Sequence, residues 1–211
     1  MIRKAKLFLL IFFIFFFINN EENLAGVYSD KERPLTQEEQ REKALGLSRK
    51  DINAENITQQ DFLRDIDMGN IDDIKLFLKN SDNQIDFVIN GVSPLPHAAT
   101  INNIEIIKIF VNETEININI QDENGNTALI NASGKGNLEI ADYLINNGAD
   151  INHQNKSGLT AIMNAAEKNK FYAIKLLLSN NADVSKSDYT GRTLREIAEN
   201  SRDKRILKLL N

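Results

Sequence analysis

Gly125-Asn126-Thr127-Ala128-Leu129 returns as Gly158-Leu159-Thr160-Ala161-Ile162 and again as Gly191-Arg192-Thr193, each time after 33 residues. The same offset carries Ala132 to Ala165 to Ala198, Ile140 to Ala173 to Ile206, and Leu144 to Leu177 to Leu210. A fixed period of this size belongs to stacked supersecondary units, each burying its apolar face only against its neighbours. Within one unit each residue type has a local task. Thr127 caps a short helix, Ala132 lets that helix approach a neighbour closely, Gly136-Asn137 turns the chain, and Ile140, Ala141, Leu144 and Ile145 place an apolar stripe at helical spacing on a second helix. Gly148 tolerates the left-handed backbone wanted after a helix, and Asp150-Ile151-Asn152 leads into an extended loop. The expected fold is all-α, a solenoid of stacked helix-turn-helix units joined by β-hairpin-like loops.

Residues 122–154 and 155–187 resemble two full ankyrin repeats, with the Gly-x-Thr-x-Leu start, the Ala pair region and the Gly-Ala-Asp-Ile-Asn ending at 148–152. Upstream, Gly91-Val92-Ser93-Pro94-Leu95 with Ala98-Ala99 resembles another unit carrying one extra residue within 112–117, because Ile118 resumes the register with Ile151. Phe62-Leu63, Gly69-Asn70-Ile71 and Leu76-Phe77-Leu78 look like an N-terminal capping repeat. The resemblance therefore covers 59–211, divided into a cap at 59–90, units at 91–121, 122–154 and 155–187, and a truncated unit at 188–211. The chain departs from the family pattern where the His that bonds the Thr hydroxyl is replaced by Pro96, Ile130, Met163 and Glu196, and where the motif Pro survives only as Pro94. These departures imply units less stable than consensus ones. His97 stands one position late and takes no family role, whereas Asn181 in place of the terminal Gly keeps the left-handed corner.

Ahead of the repeats, Arg3, Lys4 and Lys6 precede twelve consecutive apolar residues, Leu7 to Ile18, the charged and hydrophobic regions of a secretory signal. Twelve helical residues cover about 18 Å, short of the ~30 Å hydrocarbon core, so export is favoured over a membrane span. The expected arrangement is a signal or short anchor over 1–25 and a polar neck over 26–58, in which Thr36-Gln37-Glu38-Glu39 opens one helix near 37–46. The reading that residues 1–18 persist as a tether, leaving a membrane-anchored adaptor facing outside the cytoplasm, stays open.

Composition narrows the chemistry. Among 211 residues, Lys and Arg number 25 against 30 Asp and Glu, a net charge of -5, and no basic excess is present for neutralising phosphates, so nucleic acid is excluded as a partner. With no Cys there is no disulfide, thiolate zinc site or cysteine nucleophile, and no cofactor is expected. The 28 Asn and 27 Ile look like a genomic bias, which leaves single Asn residues with little functional meaning. No phosphate loop, zinc-protease helix, nucleophile elbow or EF-hand loop occurs. Asp65, Asp67, Asp72 and Asp73 lack calcium-loop order and read as solvated carboxylates at helix ends, and His97 and His153 lie more than one repeat apart. Asn56, Asn112, Asn131 and Asn155 fit the glycosylation acceptor pattern at a frequency their abundance explains.

Surface is what remains. The ankyrin resemblance implies recognition of another protein, not catalysis, through the concave side and the loop tips. The matching positions are Glu123, Asn124, Asn126 and Lys135, then Lys156, Ser157, Leu159, Glu167 and Lys168, then Tyr189, Thr190 and Arg192, with Lys186 beside them. Lys135, Lys156, Lys168, Lys186 and Arg192 outnumber Glu123 and Glu167 by three, so an acidic partner surface is expected, with Tyr189 as aromatic anchor. A secreted effector or inhibitor fits the same residues, and an enzyme is the alternative that the motif search disfavours. The mature chain is expected to begin between Asn20 and Asp30 in a soluble exported fraction; N-terminal sequencing that starts at Met1 or Ile2 in cytosol would overturn the export reading.

Overall fold

Left-handed corners recur at Gly69, Asn102, Gly136 and Asn169, where φ is 70°, 63°, 85° and 58°, and each folds one helix back on the next. The computed structural model describes residues 58–80 and 85–210, all within the unit Asn53–Asn211. The apolar run 7–18, the expected helix at 37–46 and Asn56 lie outside the described residues. Five helix pairs follow in order among those residues: α1 (Gln59–Met68) with α2 (Ile71–Asn80), α3 (Pro94–Ile101) with α4 (Ile104–Glu113), α5 (Ala128–Lys135) with α6 (Leu138–Asn146), α7 (Ala161–Glu167) with α8 (Phe171–Ser179), and α9 (Leu194–Asn200) with α10 (Arg205–Leu209). The architecture is an all-α repeat solenoid. Strand character among the described residues is limited to isolated bridges, Ile89 with Val92 and Ser187 with Thr193.

The first helix of four pairs starts on a threonine. Thr58, Thr127, Thr160 and Thr193 each accept a hydrogen bond from the backbone N–H three residues on, satisfying one of the orphan donors of the first turn. Glu196, one of the departures from the family pattern, has its own use: its carboxylate takes the Thr193 N–H at 2.7 Å and closes a capping box. α3 begins differently, since Pro94 has no N–H to satisfy and the Ser93 hydroxyl instead donates to the Gln121 carbonyl at 2.7 Å. The extra residue of that unit is absorbed by α4, which has ten residues where α6 and α8 have nine. At the equivalent later corner, Asn181 takes φ 60° where Gly148 takes 89°.

The first helices α1, α3, α5, α7 and α9 stack in one layer and the second helices in another, and the first layer is the closer packed. Its closeness follows from side-chain size: Ala98, Ala99, Ala132, Ala165, Ala166 and Ala198 are all fully buried. At Gly134 a Cβ would lie 2.3 Å from the Asn164 amide nitrogen, so even a methyl group would press into the next helix. Ser133 fits this layer by size, although its buried hydroxyl has no hydrogen-bond partner among the described residues. Between the layers Ile140, Leu144, Ala173, Leu177 and Ile206 continue a single apolar core. Its N-terminal end is closed by aromatic rings, Phe62 stacking on Phe77 with centroids 4.2 Å apart and meeting Phe110 at 5.7 Å.

Two sequence expectations are corrected. Leu210 shares a register position with Leu144 and Leu177 but is only half-buried, because among the described residues the last helix pair packs on one neighbouring pair alone. Asp65 is not a solvated carboxylate: it is buried at the α1–α2 corner, where the Asn70 amide donates to it at 3.0 Å.

Because Leu144 is fully buried between two units, Leu144→Ala is expected to cost about 2–5 kcal/mol by lost transfer energy and cavity formation. Thermal melts against the exposed control Asn146→Ala check this, and equal midpoints would show the register to be wrong.

Candidate functional site

Asp122, Asn155 and Asp188 stand 33 residues apart, one at the start of each of three hairpin tips. Each offers its Oδ1 to the backbone N–H groups two and four residues on: Asn124 and Asn126, Ser157 and Leu159, Thr190 and Arg192, all at 2.9 Å. The carbonyls of the same three residues accept the N–H of Gly125, Gly158 and Gly191, so each tip is a tight turn ending on a left-handed glycine. Gly158 has a second reason to be glycine, since a Cβ there would sit 2.5 Å from the Tyr189 nitrogen.

Neighbouring tips are joined directly. The Glu123 N–H donates to the Gly91 carbonyl at 3.0 Å, Lys156 to Asn124 at 3.0 Å and Tyr189 to Ser157 at 3.1 Å. Side chains reinforce this ladder: Asn155 donates to the Asn126 amide oxygen at 2.7 Å, His153 Nε2 to the Gly125 carbonyl at 3.0 Å, and Gln154 to the carbonyls of Gly158 and Ser187 at 2.7 and 2.8 Å. Beyond the second helices, Asn119 accepts the Asp150 N–H and Asn152 the Asp183 N–H, each at 2.8 Å. Along the first helices, Asn131 donates to the Pro96 carbonyl at 3.0 Å and Asn164 to the Ile130 carbonyl at 2.9 Å, while His97 Nε2 meets the Asp67 carboxylate at 2.8 Å.

The result is a fixed spine with exposed side chains above it, one of which, Thr190, donates its hydroxyl to Asp188 at 2.7 Å. Glu123 and Asn124, Lys156 and Ser157, and Tyr189 and Thr190 occupy the same two positions of successive tips, and all six are exposed, Tyr189 by 71%. Lys135 ends α5 and Lys168 follows α7, both exposed and without an ion pair among the described residues. The other expected site residues are turned to structural use. Leu159 is half-buried against the core, Lys186 is half-buried, and Asn126 gives its amide oxygen to Asn155.

Arg192 is clamped, its Nε on Asp188 at 2.7 Å and an Nη on Glu167 at 2.9 Å. The expected excess of three positive charges shrinks accordingly, since Asp122 and Asp188 belong to the same tips and leave five cations facing four carboxylates.

Burial pushes the Asp188 carboxyl up, but hydrogen bonds from Thr190 and Arg192 outweigh burial and bring it down to about 2. The bonds to Asp188 and Glu167 in turn hold Arg192 further in its charged form. Asp67 and Asp65 are engaged by His97 and Asn70, and no group of three His, Asp or Glu that could hold a metal ion occurs among the described residues. Among those residues, too, no helix is long and apolar enough to cross a membrane. Of the acceptor asparagines described, Asn112 is exposed and takes the Tyr143 hydroxyl hydrogen bond, while Asn131 is half-buried and Asn155 buried.

Sequence reasoning missed the roles of Asp122, Asn155 and Asp188 and of the bridging Asn119, Asn131, Asn152 and Asn164, the asparagines because their abundance masked them. The available signal was their spacing, since Asn119 with Asn152 and Asn131 with Asn164 repeat at the same 33 residues as the glycines.

The family model described as Ankyrin repeats (3 copies) matches residues 66–155 and residues 135–211 of the chain. A search of curated proteins finds no match.

A carboxyl held at about 2 against an ordinary 3.8 stabilises the fold fully above about pH 4, and loses that contribution as pH falls to about 2. Asp188→Asn should fold, since Asn155 performs the same turn-closing task, and its urea midpoint should decline less across that window than that of the unaltered chain. Parallel pH profiles for the two proteins would remove Asp188 as the cause.

Proposed function

The chain belongs to the ankyrin-repeat family, and on that premise we propose that it is an exported, non-catalytic protein-binding module. Ankyrin repeats generally bind other proteins. The observation that carries the reading is the row of exposed side chains at equivalent positions of three tips, set on a ladder whose backbone N–H groups are all bonded. Because that ladder is formed before any partner arrives, little backbone ordering entropy is lost on binding, and the exposed side chains are available for contact. The apolar run 7–18 after three basic residues supports export, and its retention in the mature protein would turn the module into a tethered adaptor.

The binding edge consists of Glu123, Asn124, Lys156, Ser157, Tyr189 and Thr190, with Lys135 and Lys168 at the ends of the first helices. Tyr189 is the aromatic anchor, and Arg192 and Asn126 hold the edge in place from beneath. Lys135, Lys156 and Lys168, exposed and without an ion pair among the described residues, favour a partner with an acidic surface.

Capture of the native partner from extract of the source cells tests this. Tyr189→Ala should weaken capture at every salt concentration, by about 2 kcal/mol if it fills a pocket. Lys156→Glu combined with Lys168→Glu should weaken it most at low salt, because rim charges act mainly on association. Full capture by both variants, with loss on changing the exposed second-helix residue Asp142→Lys, would move the binding face to the other layer.

A further inference from the structure

The sequence has three Asn-Gly pairs, Asn90-Gly91, Asn124-Gly125 and Asn147-Gly148, and the fold holds them differently. An asparagine followed by glycine is open to attack by the glycine nitrogen on the side-chain amide, since no Cβ shields that nitrogen and thermal lability of asparagine is general. At Asn124-Gly125 the Gly125 N–H is bonded to the Asp122 carbonyl at 2.9 Å, and the Asn124 carbonyl takes the Lys156 N–H at 3.0 Å, so the linking peptide is pinned on both edges. At Asn147-Gly148 the Gly148 N–H is bonded to the Ile145 carbonyl at 3.1 Å, and the Asn147 side-chain amide is itself held on the Tyr143 carbonyl at 2.8 Å.

Asn90-Gly91 has neither restraint. It forms the two central residues of a tight hairpin turn with φ of 50° and 81°, closed by Ile89 and Val92, which exchange bonds of 3.0 and 2.8 Å. In this turn type the N–H of the second central residue points away from the closing bonds. Among the described residues the Gly91 N–H, the Asn90 carbonyl and the exposed Asn90 side chain have no hydrogen-bond partner.

We infer that Asn90-Gly91 is a site of spontaneous deamidation in the folded chain, converting ahead of the other two pairs. The Gly91 nitrogen loses its proton to hydroxide and attacks Asn90 Cγ. A C–N bond forms, the bond from Cγ to the side-chain nitrogen breaks, and that nitrogen takes a proton from water as it leaves as ammonia, which returns the hydroxide. Water then adds to one or other carbonyl of the resulting succinimide and opens it to aspartate or isoaspartate, so one water is consumed and one ammonia released.

Either product changes the first hairpin. A new carboxylate appears beside Gly91, against which the Glu123 carboxylate already lies. The isoaspartyl form also inserts an extra carbon into the backbone of a turn whose ends are bonded in both directions. That breaks the register of Ile89 with Val92 and loosens the Gly91 carbonyl that receives the Glu123 N–H, uncoupling the first hairpin from the tip ladder. The inference stands independently of the partner-binding reading.

The test is incubation of the purified full chain in mildly alkaline buffer, with peptide mapping by mass spectrometry using fragmentation that separates aspartate from isoaspartate. A matched sample is incubated in urea. In the folded chain Asn90 is expected to convert faster than Asn124 and Asn147 by roughly fivefold or more, the population ratio that one net hydrogen bond sustains. In urea the three rates should converge. Native conversion at Asn124 or Asn147 as fast as at Asn90, or a native Asn90 rate suppressed as strongly as theirs relative to urea, would overturn it.

Discussion

The close approach of the first helices is the constraint on which the other features depend. Alanines at 98, 99, 132, 165, 166 and 198, with Gly134 between them, let α3, α5, α7 and α9 lie nearer to one another than the second helices do. Larger residues there would spread the units, and the tip hydrogen bonds from Glu123, Lys156 and Tyr189 would no longer reach the carbonyls of the preceding unit. Side-chain volume in one layer therefore sets the geometry of backbone bonds in another part of the molecule. The buried Ser133 hydroxyl shows how strongly size dominates at these positions, because its polar atom gains no partner among the described residues.

Within that spacing, short amide and carboxylate side chains do most of the joining between units. Asparagine both donates and accepts, and its reach matches the gap from one unit to the next: Asn119 and Asn152 catch backbone N–H groups, while Asn131 and Asn164 donate to carbonyls of the preceding helix. Asn155 does both at once, holding its own turn and bonding Asn126. Asp188 occupies the same place but carries a full charge, which is why it is matched with Arg192 and through it with Glu167 on α7. The high asparagine content, whatever its origin, has been put to structural use.

The division between bonded spine and exposed side chains is what supports the proposed use of the tips for recognition. The backbone N–H groups of the three tips are committed to internal bonds, so the donors offered there belong to side chains at fixed spacing. Glu123, Lys156 and Tyr189 fall at one equivalent position and are an acid, a base and an aromatic, so the edge is chemically asymmetric although the fold beneath it repeats. A repeat architecture lets such positions vary freely because each contributes little to the core.

The period, the helix pairs, the threonine caps, the left-handed corners at Gly148 and Asn181 and the core line from Ile140 to Leu177 were legible in the sequence, because each rests on residues close along the chain or on a spacing that repeats. Whether a given side chain faces solvent was not. Leu159 looked like a tip residue and packs against the core, Arg192 looked like a free cation and is a clamp, and Asp65 looked solvated and is buried. The Arg192 clamp depends on a contact between units, with Glu167, which exists only once the units have stacked at the distance the alanines allow, whereas Asp65 is held by Asn70 across the corner of its own unit. Local sequence determines what each unit is; the distance between units determines which of its polar groups are left for a partner.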